Sequence, residues 1–218
     1  MVRARDCRVV VASLVVLALA APAGAQDREP EHFRGQIATA EAASIVVKTT
    51  DGKTVRLGLP DTVTTLSLSK ASWASVDFGT YVGSVAVRLD MNSPIVRANP
   101  RETVSWLYEG RELRIIDEQL RGIAVGAKQW DLPPGSTMTH GWVDDREGRV
   151  ISIKYGPTLD EETDVFVSRD VPVLRMSLSD KSLLKPGAHV FAGAQKGADG
   201  KHSAVFIFVG KDGIVPPL

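Results

Sequence analysis

Val47-Lys48-Thr49-Thr50-Asp51-Gly52-Lys53-Thr54-Val55 decides how this chain is to be read. Two short segments rich in β-branched residues, 44–49 and 54–59, flank an Asp-Gly pair. Asp and Gly tolerate the positive φ of a type I′ turn, so the stretch predicts a β-hairpin. The pattern extends outward. Segments 33–39, 63–68 and 81–89 read as further strands, and 103–108 with 112–116 reads as a second hairpin around Glu109-Gly110. Between them, 72–78 has room for one helical turn stopped by Gly79. Strands resume at 140–144, 149–154, 163–167, 173–178, 189–194 and 204–209. Asp199-Gly200 marks a late hairpin and Asp212-Gly213 a final turn.

The intervening stretch 122–138 holds Gly122, Gly126, Trp130, Pro133, Pro134 and Gly135 without clear periodicity, and reads as a linker packed by Trp130 and Leu132. On either side the chain looks duplicated. Ser67-Leu68-Ser69 returns as Ser177-Leu178-Ser179, and Gly79-Thr80-Tyr81-Val82 is answered by Gly187-Ala188-His189-Val190. Order and spacing agree from Arg34-Gly35 and from His140-Gly141. The expectation is an all-β protein of two tandem small OB-like β-barrels: 33–121 the first, 122–138 the linker, 139–218 the second. One continuous β-sandwich is the alternative.

The first residues point to export. Arg3, Arg5 and Arg8 precede a largely apolar run over 9–21, and Ala23-Gly24-Ala25 offers a small-x-small cleavage pattern. This predicts a signal peptide over 1–25 cut between Ala25 and Gln26, a flexible start over 26–32, and a periplasmic or secreted bacterial location. Cys7, the chain's one cysteine, would leave with that peptide, so neither a disulfide frame nor a thiolate metal site is expected. Basic and acidic residues balance at 26 each. A balanced charge gives no general attraction to nucleic acid, and no later run is long and apolar enough to insert in a membrane.

Three further stretches resemble a bacterial exported family of unknown function with two tandem OB-like halves. They are Arg34-Gly35-Gln36-Ile37 with Val47 to Val55, the central Trp130 to Thr139, and Leu183 to Phe191 with the closing Val209 to Pro217. The resemblance covers nearly the whole chain after residue 25 and implies a fold more than an activity. Some members carry metal-transporter permease labels, which a chain without a membrane span contradicts. This chain also has Ala127-Lys128-Gln129 where relatives have His-Arg-Pro, and its segment 92–112 is longer and less regular.

The chemistry-bearing residues are few. His32, His140, His189 and His202 are scattered, with no pair at metal-binding spacing on a helix. A metal site would recruit His140 with Asp144 and Asp145. The acidic 160–164 run lacks the spacing of a calcium loop and reads as a solvated hairpin tip. No G-x-S-x-G elbow or phosphate loop is present, and Ser136 near His140 is weak ground for a dyad. Trp106 and Tyr108 on one strand face, with Arg111 and Arg114 just beyond the expected turn, form a candidate binding surface. The reading is therefore a non-enzymatic exported binding or envelope-associated module with no cofactor and no metal. Its partner would be an unknown small molecule or envelope protein. The alternatives are a periplasmic accessory to a transport system, and a metal-dependent or hydrolytic enzyme around His140.

Overall fold

The structure, a computed structural model, describes residues 29–99, 106–131 and 133–217. The expected signal peptide, its cleavage point and Leu132 lie outside the described residues. Among the described residues thirteen strands carry the fold, with one short helix α1 (Pro94–Ala98) and three single 3-10 turns. The strands are β1 (Glu31–Glu41), β2 (Ser44–Thr49), β3 (Thr54–Gly58), β4 (Thr64–Lys70), β5 (Tyr81–Arg88), β6 (Leu107–Ile116) and β7 (Gly126–Gln129). They continue with β8 (Ser136–Glu147), β9 (Val150–Tyr155), β10 (Glu161–Phe166), β11 (Val173–Ser179), β12 (His189–Lys196) and β13 (His202–Gly210). The flexible start expected over 26–32 does not hold at its end, where Glu31 and His32 pair with Ala194 and Gly193 on β12.

The protein is all-β and barrel-forming. One five-stranded ring runs β8-β9-β10-β6-β5 and back to β8. All its contacts are antiparallel except β10–β6, which is parallel. A second ring runs β1-β2-β3-β13-β12 and back to β1, and its parallel β3–β13 seam is only His202↔Leu57 and Ser203↔Gly58. Each is a small OB-like barrel with its own apolar filling. Val82, Leu113, Ile115, Val143, Ile151, Ile153 and Val165 fill the first, and Ile37, Ile45, Val47, Leu57, Val190, Ile207 and Val209 the second.

The expected division at 122–138 does not separate these barrels. Each takes three strands from one half of the chain and two from the other: β8, β9 and β10 close with β5 and β6, while β1, β2 and β3 close with β12 and β13. Strands β4 and β11 cross between the barrels as an antiparallel pair centred on Ser67↔Ser177. A sequence boundary follows chain order, whereas a barrel closes with whichever strands present matching apolar faces. The supposed linker also holds β7, which pairs with the first half of β8 along the edge that β9 does not reach.

Two of the turns differ from those the sequence predicts. At Asp51-Gly52 only Gly52 has positive φ (+83°), and the Gly52 N–H donates to the Thr49 carbonyl. This is a type I turn followed by a left-handed residue, not the I′ form, which needs positive φ at both central positions. Asp212-Gly213 does have it at both, +52° and +77°. Glu109-Gly110 is no turn: β6 runs straight through, with a bulge opposite Val85 and Ala86. A Cβ on Gly110 would lie 3.2 Å from Val165 Cγ1 and 3.3 Å from the Phe166 carbonyl, so the glycine permits close approach of β10. The short helical turn is present as a 3-10 turn over Trp73–Ser75, capped by Ser72.

Candidate functional site: a pocket between the two barrels

From β8 through β5, β6, β11, β4, β13 and β12 to β1 the strands hydrogen-bond in unbroken succession. Side chains alternate across such a run, so residues next to the barrel fillings point to the other face. There, flanked by 123–130, lies a pocket of about 560 Å³. Phe191 from β12 and Phe206 and Phe208 from β13 supply one wall. Arg114 from β6 with Met138 and His140 from β8 supply the opposite one, and Leu66 and Met176 form the floor from the crossing strands. Trp130 and Lys128 stand at the rim.

The aromatic wall is tightly built. Phe191 and Phe208 stack at 5.7 Å and 15°, and Phe206 meets both edge-on at 5.7 and 5.5 Å. Across from it is a buried ion pair. Glu112 and Arg114 are 1% and 3% exposed, with Arg114 Nε 2.6 Å from Glu112 Oε1. The approach is close but not aligned as a hydrogen bond, and both carboxylate oxygens lack one. Burial pushes the Glu112 carboxyl up, against the pull of Arg114 and Arg34. A second Arg114 nitrogen donates to the Met138 sulfur at 3.3 Å.

His140 is half-buried as a residue, yet both ring nitrogens are shut off from water and neither makes a well-formed hydrogen bond. Burial depresses its pKa to about 3. The positive charge of Arg114 adds to this, the Ile123 backbone opposes it, and Lys128 reinforces it. The imidazole is therefore neutral at ordinary pH. It lies over Gly83, its β5 partner, where a Cβ would come within 2.6 Å of the ring.

Trp130 bridges the barrels. Its ring lies 5.0 Å from His32 and 6.0 Å from Phe191, and its indole N–H is buried without a partner. The ring is half-buried rather than enclosed, with the Lys128 ammonium 5.6 Å from its centre. Next to it, Asp131 accepts both Arg34 guanidinium N–H groups, at 3.0 and 3.1 Å, and contacts His32 Nδ1 at 2.9 Å. Burial alone would raise the Asp131 carboxyl. The hydrogen bonds from Arg34, then His32, outweigh it and hold the group below its usual range.

The surface expected from Trp106, Tyr108, Arg111 and Arg114 is not one surface. The β6 bulge at Arg111 inverts the alternation, so Tyr108 packs with Leu113 and Ile115 against the barrel filling while Glu112 and Arg114 face the pocket. Trp106 stands exposed beneath Arg88, and Arg111 pairs with Glu109 at the surface. Of the four, Arg114 alone belongs to the site. The Phe206-x-Phe208 alternation is the legible signal for the aromatic wall, but in sequence it looks the same as any apolar strand.

His140 does not join Asp144, whose carboxylate is held by Lys154 at 2.8 Å. Among the described residues no cluster of three His, Cys, Asp or Glu side chains could hold a metal ion. Ser136 and His140 are four residues apart on one strand, about 13 Å, too far for a dyad. Nor is any described helix long and apolar enough to cross a membrane.

Fold and site thus define an all-β, two-barrel protein with an aromatic and cationic pocket where the barrels meet. Family models, curated proteins and solved structures were all compared with the chain, and none matches.

Proposed function

We propose that the protein is an exported, non-enzymatic binding module and that the inter-barrel pocket is its small-molecule site. The observation that carries this is the pocket itself: about 560 Å³, walled by three phenylalanines, with a few buried polar groups left without hydrogen bonds. Small-molecule sites typically combine an apolar lining of this size with a few convergent polar groups. Against catalysis, no carboxylate or nucleophile among the described residues hydrogen-bonds either ring nitrogen of His140. The Arg-rich start and Ala23-Gly24-Ala25 support export, and the resemblance to an exported two-barrel family supports the same assignment.

On this reading the two halves are a duplication whose pocket walls have diverged. Gly35 and Gly141 occupy matching places: a Cβ on either would sit 2.1 or 2.2 Å from the carbonyl oxygen of Lys48 or Lys154 respectively. Arg34 pairs with Phe191 where His140 pairs with Gly83. Phe206 and Phe208 stand where the other half has Glu112 and Arg114, just past matching bulges. One wall is thereby aromatic and the other ionic.

The test is titration of residues 26–218 with N-phenyl-1-naphthylamine, a neutral dye that brightens in apolar surroundings. Saturable brightening is expected, with its loss in Thr64→Trp, which fills the pocket from β4. A dye response unchanged in a folded Thr64→Trp protein, or no response in the parent, refutes the assignment.

A further inference from the structure

The pocket holds buried polar atoms that the chain itself leaves without hydrogen bonds. Trp130 Nε1 and Arg114 Nε are donors only and both are shut off from water; the first has no partner among the described residues, and the second has only its misaligned 2.6 Å approach to Glu112 Oε1. A further Arg114 nitrogen is spent on a thioether, a weak acceptor. His140, neutral, can serve either way. Arg114 pairs with Glu112 on its own strand, Arg34 from β1 also acts on Glu112, and Lys128 from β7 acts with Arg114 on His140. Asp131 is already committed to Arg34 and His32. With Arg34 and Asp131 paired to each other, the cations Arg114 and Lys128 face one carboxylate, that of Glu112. Such a site is completed by an anion, which accepts more strongly than a neutral oxygen. Facing it, the rings of Phe191, Phe206 and Phe208 lie in contact and offer an edge-and-face surface that a flat ring continues.

Resting on the binding reading above, we propose that the ligand is a flat aromatic monocarboxylate, its ring on the phenylalanine wall and its carboxylate at Arg114 and the Trp130 N–H. The volume accommodates one or two fused rings. Glu112 is then the counterion that the ligand displaces. Its carboxylate oxygens have no hydrogen bond, and a second anion beside Arg114 favours its protonated form. Binding therefore takes up a proton.

Calorimetric titration with 2-naphthoate and with 2-naphthamide, its neutral match in shape, decides the matter on the unaltered protein. The acid is expected to bind at least about tenfold tighter, a difference of about 1.4 kcal/mol. Its affinity should rise as pH is lowered from about 8 to about 5, with proton uptake seen as a buffer-dependent heat. Glu112→Gln should keep the preference and lose the uptake. Arg114→Met made together with Glu112→Gln removes both charges without leaving one buried alone, and should lose the preference. Equal binding of acid and amide overturns the carboxylate assignment while the pocket remains a small-molecule site. Tighter binding of decanoate than of 2-naphthoate overturns the aromatic one. Binding of none of these, with no dye response either, overturns this proposal and the binding reading together.

Discussion

Position 140 shows how the fold sets the charge of one group. Its pKa of about 3 lies well below the 6.5 of an unperturbed histidine, so the unfolded chain binds a proton here that the folded one refuses. Stability from this group is fully present above pH 6.5 and is lost progressively as pH falls through 6.5 toward 3, by at most about 1.4 kcal/mol per pH unit. Glu112 works the other way. Raised in the fold, it contributes stability at low pH that is lost as pH climbs through its elevated pKa. Urea unfolding between about pH 4.5 and 7 should therefore show the slope of His140 partly cancelled by that of Glu112. In Glu112→Gln the acid-side loss should steepen, and in His140→Phe it should shrink or reverse. Identical slopes in all three proteins would mean that neither group is as buried as it stands here.

Among elements, a tight requirement falls on β1 and β8, where they cross β2 and β9. At Gly141 a Cβ would lie 2.2 Å from the Lys154 carbonyl oxygen and 2.9 Å from Ile153 Cγ2, so neither backbone nor side chain leaves room for a methyl group. Gly141→Ala must push the β8–β9 pairing apart and is expected to cost about 3 kcal/mol or more. Gly52→Ala is the control. Nothing lies within 4 Å of its Cβ, so its cost is that of holding an L-residue at φ +83°, about 1–2 kcal/mol. Thermal unfolding of both variants checks the order. A Gly141→Ala protein as stable as Gly52→Ala would contradict the close crossing. Such crossings leave little trace in sequence, because a glycine needed for contact looks like one needed for a turn. Gly110 was read as a turn for that reason, whereas Gly79 and Gly200, at φ +76° and +77°, are turn glycines as expected.

For the whole molecule, the exchange of strands decides how it unfolds. Separate barrels would allow two transitions once the Trp130 contact is removed. Here neither barrel closes without β-strands from both halves, so Trp130→Ala should lower stability by about 3 kcal/mol yet keep a single transition. The same interlock predicts that residues 29–121 and 122–218, produced separately, stay unfolded, and that mixed they recover the far-ultraviolet dichroism and dye binding of the intact chain. Independent folding of either piece would overturn the exchanged topology.

The sequence by itself determined most of the strands, though not β7 or the unbroken course of β6, because period-two alternation, β-branched residues and Gly-containing turns are local properties. It also displayed the matched Ser-Leu-Ser segments that pair at the centre, and the OB-like character of each barrel. Only the tertiary structure decided which strands close which barrel, since antiparallel and parallel partners far apart in the chain compete on packing rather than on any local signal. The site followed from that choice. Arg114 and Phe208 are 94 residues apart in sequence and come within 5.4 Å because β6 and β13 flank the same crossing pair, and the one-residue bulge at Arg111 turned Arg114 toward the pocket and Tyr108 away from it.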